Sequence, residues 1–176
     1  MKLSACLIVK NEKDHIVDVL TSLSGFDEII VVDTGSIDNT VELAHSLGAQ
    51  VFTDYTWNDD FAEARNHALS KCTGDWVLSI DADETLEAGG LEKIKTLVEK
   101  AESDELHFSV VMSHKGSGQK HHLPRLIRND GSVKLTGAAH ETLSPVQANH
   151  TDIKITYGYS TAHALDPDRM LQILRG

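Results

Sequence analysis

Positive charge is scarce in this sequence. Sixteen lysines and arginines stand against 27 aspartates and glutamates, a formal net charge of −11 with histidine neutral. A surface of that sign repels phosphate backbones, so duplex nucleic acid is a poor partner. A nucleotide is not excluded, because a bound divalent cation reverses the local sign. Cysteine is nearly absent. Cys6 and Cys72 are the two, neither lies in a Cys-x-x-Cys, and both read as small buried hydrophobes of a reducing compartment. No apolar run approaches the length of a membrane span, and the apolar part of MKLSACLIVKNE is too short for a secretion signal. The expected location is the cytoplasm, with attachment to the inner membrane face through a partner left open. There is no internal repeat and no low-complexity segment. The 40% hydrophobic content over 176 residues suits one folded domain with a sizeable core.

Strand and helix patterns alternate along the first half. Residues 3–9 form a short apolar run bounded by polar residues, which predicts a buried strand. Ile16, Val19, Leu20 and Leu23 follow at helical spacing, and Gly25 closes that helix. EIIVV at 28–32 is β-branched and apolar on both faces, as a covered strand requires. A helix is predicted over 38–47, capped by Asp38 or Asn39, then a strand at 49–52, a loop at 53–58, and a helix from Asp59 or Asp60 to Cys72. Residues 76–80 are a fourth strand, 91–101 a helix and 106–112 a strand. That order implies right-handed crossovers and an α/β fold whose mainly parallel sheet carries helices on both faces. Such sheets bind ligands at the carboxyl ends of their strands. Those ends carry Asn11-Glu12, Asp33-Thr34-Gly35-Ser36 and Asp81-Ala82-Asp83. Beyond Ser113 the character changes: a flexible turn at 115–118 precedes short strands at 123–128, 133–135 and 153–159. The expected organisation is a nucleotide-binding α/β core at 1–112 and a small extension of the same domain at 113–165. Residues 166–176 are expected to start a helix that is truncated at the C-terminus.

Three clusters carry chemistry. Asp81 and Asp83, two carboxylates at i and i+2 directly after a strand, can hold a hard divalent ion that keeps positions for phosphate oxygens. A polar turn is the plain alternative. Asp33 can accept from a base imide or a ribose hydroxyl, with small residues letting the backbone approach a ligand. The alternative there is a strand-to-helix turn with its own capping groups. Arg65 lies on a helix whose other face is apolar. It can stack on a base, pair with Asp33, or stand in solvent.

Taken together, LIVKNE, VVDTGSIDNT, DFAEARNHAL and GDWVLSIDADE, in this order, resemble the family 2 glycosyltransferases of the GT-A (Rossmann-like) fold. The likeness covers the first half of the chain closely. PRLIRNDGSVKLTGAAHETL is similar to the acceptor-side segment of a branch that often carries C-terminal tetratricopeptide repeats. The resemblance implies an inverting enzyme that moves a sugar from a nucleotide-diphosphate donor, by family habit a UDP-sugar, to an acceptor hydroxyl. The acceptor class (glycan, lipid, peptide or small molecule) stays open. The resemblance implies a nucleoside pocket built from Asn11, Glu12, Asp33, Thr34, Gly35, Ser36, Arg65, Asp81 and Ala82. It also implies a Mn²⁺ or Mg²⁺ ion held by Asp83 with Asp81. Glu141, beside His140, is the expected general base, because an inverting transfer needs a carboxylate opposite the leaving diphosphate. A surface turn after Gly137 is the alternative. The branch often has a histidine two residues before a late Gly-Tyr; here that place is Thr156, and His163 is the expected third metal ligand. His114, His121 and His122 have no motif behind them, and Trp57 is expected to pack under the nucleotide loop.

Asp81-Ala82-Asp83-Glu84-Thr85 also fits the DxDxT of haloacid-dehalogenase-type phosphatases, in which the first aspartate is a nucleophile. Four strands up to the motif, rather than one, argue against it. A nucleotidyltransferase would carry a glycine-rich loop after the first strand, and Lys10-Asn11-Glu12-Lys13 has no glycine. A non-catalytic sugar-nucleotide-binding module is the third alternative.

Overall fold

The computed structural model describes residues 1–138, 141–145 and 149–158. The elements run β1 (Leu3–Val9), α1 (Ile16–Ser22), β2 (Glu28–Asp33), α2 (Thr40–Ser46), β3 (Gln50–Phe52), α3 (Phe61–Lys71), β4 (Trp76–Ser79) and β5 (Glu84–Leu86). They continue with α4 (Gly90–Lys100), β6 (His107–His114), β7 (Lys120–Arg128), β8 (Lys134–Thr136), β9 (Thr142–Ser144) and β10 (Asn149–Tyr157). Eight strands form one sheet in the order β3-β2-β1-β4-β7-β6-β10-β5, and β8 pairs with β9 separately. The β3-β2-β1-β4 half is parallel. β7 enters antiparallel between β4 and β6, and β5 closes the far side antiparallel to β10. The expected α/β class and mainly parallel first half are therefore found.

The strand period of two sorts the core into two layers. Leu3, Ala5, Leu7 and Val9 of β1 face the larger cluster, with Val31, Leu78, α1 and α4. Cys6, Ile30, Val32 and Val77 face the other side, against Ala68 of α3. Cys6 and Cys72 are buried free thiols. On α4, Leu91, Ile94 and Val98 repeat at helical spacing, and the last two are buried. Two short strands differ from the sequence expectation. β5 and β9 are too short to carry a period, and only their partners, β10 and β8, make them strands. The helix expected from residue 166 lies outside the described residues. Among the described residues, no helix is long and apolar enough to cross a membrane.

Glu28, at the start of β2, is buried and ties three elements together. It accepts from Ser4 Oγ at 2.6 Å, Thr73 N–H at 2.6 Å, Thr73 Oγ1 at 2.6 Å and Lys2 Nζ at 3.0 Å. Burial alone would raise its pKa. The hydrogen bonds from Ser4 and Thr73, with Lys2, outweigh it and hold the carboxyl at about 2 against 4.5. A depressed acid stabilises the fold above its unfolded pKa, and that share is lost as pH falls from about 4.5 toward about 2. Glu28→Gln is expected to lose about 2 kcal/mol at pH 7, with the gap to wild type closing through that acid window. Urea unfolding at several pH values checks it; a gap that ignores pH would remove the carboxylate from this role.

Candidate active site

The loops after β1 and β2 lock into one another. Asn11 adopts φ +57°, a left-handed conformation that asparagine tolerates. Its N–H donates to Ser36 Oγ at 2.8 Å, and its Oδ1 accepts from Ile37 N–H at 2.8 Å. Glu12 N–H donates to Thr40 Oγ1 at 2.8 Å, and Thr34 Oγ1 donates to the Val9 carbonyl at 3.0 Å. The buried Asp33 carboxylate accepts from Gly35 N–H and Ser36 N–H, each at 3.0 Å. Asp33 therefore first shapes its own turn, and Gly35 supplies the φ of +108° that the turn needs. Six of the nine residues expected at the nucleoside pocket, Asn11, Glu12 and Asp33 to Ser36, come together at the carboxyl ends of β1 and β2.

Arg65 does not pair with Asp33. Its Nη2 lies 2.7 Å from Asp81 Oδ1, and its Nε donates to Glu141 Oε1 at 2.6 Å. One guanidinium thus links the strand-end Asp81 to the acceptor-side Glu141. α3 is what makes this possible. Asp60 caps it by accepting from Glu63 N–H at 2.8 Å. Asn66, next to Arg65, bonds both the N–H and the carbonyl of Leu135, at 3.0 and 2.8 Å. Phe61 N–H donates to the Ala138 carbonyl at 2.9 Å. The β8–β9 hairpin is in this way lashed along α3, and Glu141 is carried to Arg65. Trp57 packs edge-on against Phe61 at 4.9 Å and donates to Asp59 Oδ1. These two contacts place it at the start of α3.

Arg125 and Glu84 complete the cluster, and neither was singled out from the sequence. Arg125 Nη2 reaches Asp81 Oδ2 at 3.0 Å and Glu84 Oε1 at 2.6 Å. β4 and β5 lie far apart in strand order, so one side chain touching the end of one and the start of the other means that the sheet curls. Arg125 sits where the β6–β7 register shifts: Phe108 pairs Leu126, and Ser109 pairs Pro124. The extra residue of such a bulge is free to be re-aimed, which is how a strand residue reaches a neighbouring strand end. The sequence signal was PRLIR, a proline beside a basic residue inside an apolar strand.

Two guanidinium groups face three carboxylates here. Burial works against Asp81 ionising, but Arg65 and then Arg125 outweigh it and hold its carboxyl far below the usual range. The excess negative charge falls on Glu84. Its burial, with Asp81 and Asp83 nearby, outweighs Arg125 and pushes its pKa up to about 7.

Both Asp81 oxygens meet a guanidinium group, so an ion sharing Asp81 with Asp83 would use its remaining lone pairs or displace one arginine. Ala82 is buried with its side chain in the core cluster, so only its backbone can meet a ligand. His140 and His163 lie outside the described residues. Thr156 is inside β10, paired with Thr85 and Ser113. Among the described residues no three His, Cys, Asp or Glu side chains group around a metal position. A pair such as Asp81 and Asp83 suits a hard ion, since Mg²⁺ and Mn²⁺ are commonly held by one or two carboxylates plus phosphate oxygens.

Compared with known proteins, residues 4–161 match the glycosyl transferase family 2 profile. The chain belongs to glycosyl transferase family 2. It is 37% identical over 144 residues to a TPR repeat-containing protein of Synechococcus elongatus, covering 80% of this chain and 35% of that protein. It is 44% identical over 90 residues to an uncharacterized glycosyltransferase of Rickettsia prowazekii, covering 48% and 29%. It is 32% identical over 154 residues to the prophage-derived glycosyltransferase SunS of Bacillus subtilis, covering 82% and 35%. The chain thus spans about a third of the length of these relatives. Staphylococcus aureus TarS 1–349 in complex with UDP-GlcNAc shares the fold, with TM-score 0.74 and 16% identity over 99% of this chain and 65% of that one. So does glucosyl-3-phosphoglycerate synthase of Mycobacterium tuberculosis in complex with Mn²⁺, UDP and glucosyl-3-phosphoglycerate, at TM-score 0.67 and 18% identity over 98% of this chain and 77% of that one. The fold is GT-A. The phosphatase alternative falls with that membership. Its nucleophile would be Asp81, whose two oxygens are both engaged by arginines.

Proposed function

We propose that this domain transfers a sugar with inversion from a UDP-sugar to an acceptor hydroxyl, using a divalent cation. The observation that carries this reading is the Asp81–Arg65–Glu141 link, in which one arginine joins the donor-side carboxylate to the acceptor-side one. The interlocked loops of Asn11, Glu12, Asp33, Thr34, Gly35 and Ser36 would receive the nucleoside, and Asp33 would offer its remaining lone pairs to the base. Asp83 would hold the Mn²⁺ or Mg²⁺. When bound, that ion offsets the charge that develops on the departing diphosphate. Glu141, with Oε1 on Arg65, offers Oε2 to the acceptor hydroxyl. The hydroxyl proton passes to Glu141 as the oxygen bonds the anomeric carbon, and the old bond pair leaves with UDP. Arg65 and Arg125 keep Asp81 charged and fixed, so the site does not reorganise when negative charge builds up.

Calorimetric titration of UDP, GDP, TDP and AMP, with and without Mn²⁺, tests the donor half. UDP is expected to bind with metal and to lose at least about tenfold in affinity without it or in Asp83→Ala. Tight UDP binding that ignores both changes would remove Asp83 from the metal role. Failure of every nucleotide to bind the folded domain would overturn the reading.

A further inference from the structure

The open half of β7 is a feature that the transfer chemistry leaves unused. β7 is nine residues long and β4 only four, and their ladder ends at Leu78 opposite Leu126. From Arg125 back to Lys120 the strand keeps β6 on one side. On its other side no strand lies among the described residues. Lys120, His121, His122 and Leu123 are all exposed, so neither sheet face covers this stretch. An exposed edge of this kind is a template for another backbone. Pro124 fits the position, since proline is tolerated at edges and bulges. It ends the usable donors, leaving residues 120–123.

Charge narrows the choice of ligand. Residues 106–129 contain no aspartate or glutamate, in a chain that has 27. Lys115, Lys120, His121 and His122 stand exposed within that acid-free stretch. Beside the edge, His114 and His121 pack edge-on against Tyr157 at 5.1 and 5.7 Å, a ring-lined wall. The inner end of the open edge is Arg125, whose guanidinium sits on Asp81. A chain laid along residues 120–123 would therefore run into the reacting centre.

We infer that the open edge of β7 docks the acceptor as an extended, acidic polypeptide segment. It would add a strand by backbone hydrogen bonds and offer a Ser or Thr hydroxyl to Glu141. Alternating N–H and C=O groups complement another peptide backbone, whereas a ligand made only of hydroxyls or phosphates does not match the alternation. The basic side chains choose an acidic sequence and favour its approach at low salt. This inference rests on the proposed transferase reading for the direction in which the segment runs.

The test is hydrogen exchange with mass spectrometry on the whole chain. The probes are a synthetic peptide of alternating Glu and Ser, its Lys/Ser counterpart, the Glu/Ser peptide N-methylated at alternate amides, and inorganic polyphosphate. Exchange at residues 120–123 is expected to slow with the Glu/Ser peptide alone. Its affinity is expected to fall about tenfold on N-methylation and about tenfold in Lys120→Glu, which is exposed and leaves Mn²⁺-dependent UDP binding unchanged. Two results would overturn the docking edge: no protection at 120–123, or equal binding of polyphosphate and peptide. UDP binding is measured on the same samples. Its presence without peptide protection sinks only this inference, and its loss sinks the donor reading independently.

Discussion

Glu141→Gln is expected to lower the transfer rate by about 10²–10⁴-fold, the usual contribution of a general base. UDP affinity should stay within about twofold, because Gln Oε1 can still accept from Arg65 Nε and the donor loops are untouched. The separation follows from the geometry. Glu141 precedes β9 on the hairpin that Asn66 and Phe61 hold against α3. The nucleoside loops follow β1 and β2 instead. Single-turnover kinetics beside calorimetry would read the two effects apart. An unchanged rate constant would remove Glu141 from the base role, and an equal loss of UDP affinity would make it a structural partner of Arg65.

Arg65→Met is expected to cost the fold about 3–5 kcal/mol at neutral pH, the range for removing one partner of a buried ion pair. Methionine fills much of the space, so the loss reports charge rather than a cavity. Asp81 keeps Arg125, but Glu141 loses its guanidinium. The pH dependence has a definite sign. In the native protein the depressed Asp81 carboxyl stabilises the fold above the ordinary carboxylate range, and that share is lost only as pH falls through its own low pKa. In the variant the depression shrinks. The gap between the two proteins should therefore be widest near neutral pH and close as pH falls below the usual aspartate range. Arg65→Lys should recover only part of it, since one ammonium cannot present two fixed nitrogens to two carboxylates. Denaturant unfolding from neutral to acid pH measures this, and a gap independent of pH would contradict it.

Long, periodic elements were legible without coordinates. LSACLIV and EIIVVD are apolar runs that suit strands covered on both faces, and α4 carries its apolar stripe at helical spacing. The order of LIVKNE, VVDTGSIDNT, DFAEARNHAL and GDWVLSIDADE sufficed to state the family resemblance and pointed to Asn11, Asp33, Arg65 and Asp81, while PRLIRNDGSVKLTGAAHETL pointed to Glu141. Two of the four three-residue strands were not legible: β3 and β8 were anticipated, but β5 and β9 show no pattern of their own and are strands because β10 and β8 pair with them.

The sequence by itself determined which groups were available: a strand-end DxD, one helical arginine, one acceptor-side carboxylate and an acid-free stretch at residues 106–129. Tertiary structure decided how they pair. Arg65 meets Asp81 and Glu141 rather than Asp33, because α3 packs against β1 and β2 with Arg65 in reach of Asp81, while its Asn66 holds the β8–β9 hairpin. Arg125 reaches Asp81 and Glu84 only because a register shift re-aims it and the sheet curls. Spacing along a chain fixes which residues share an element. Ion pairs and open edges depend on how elements end beside one another, and no local pattern encodes that.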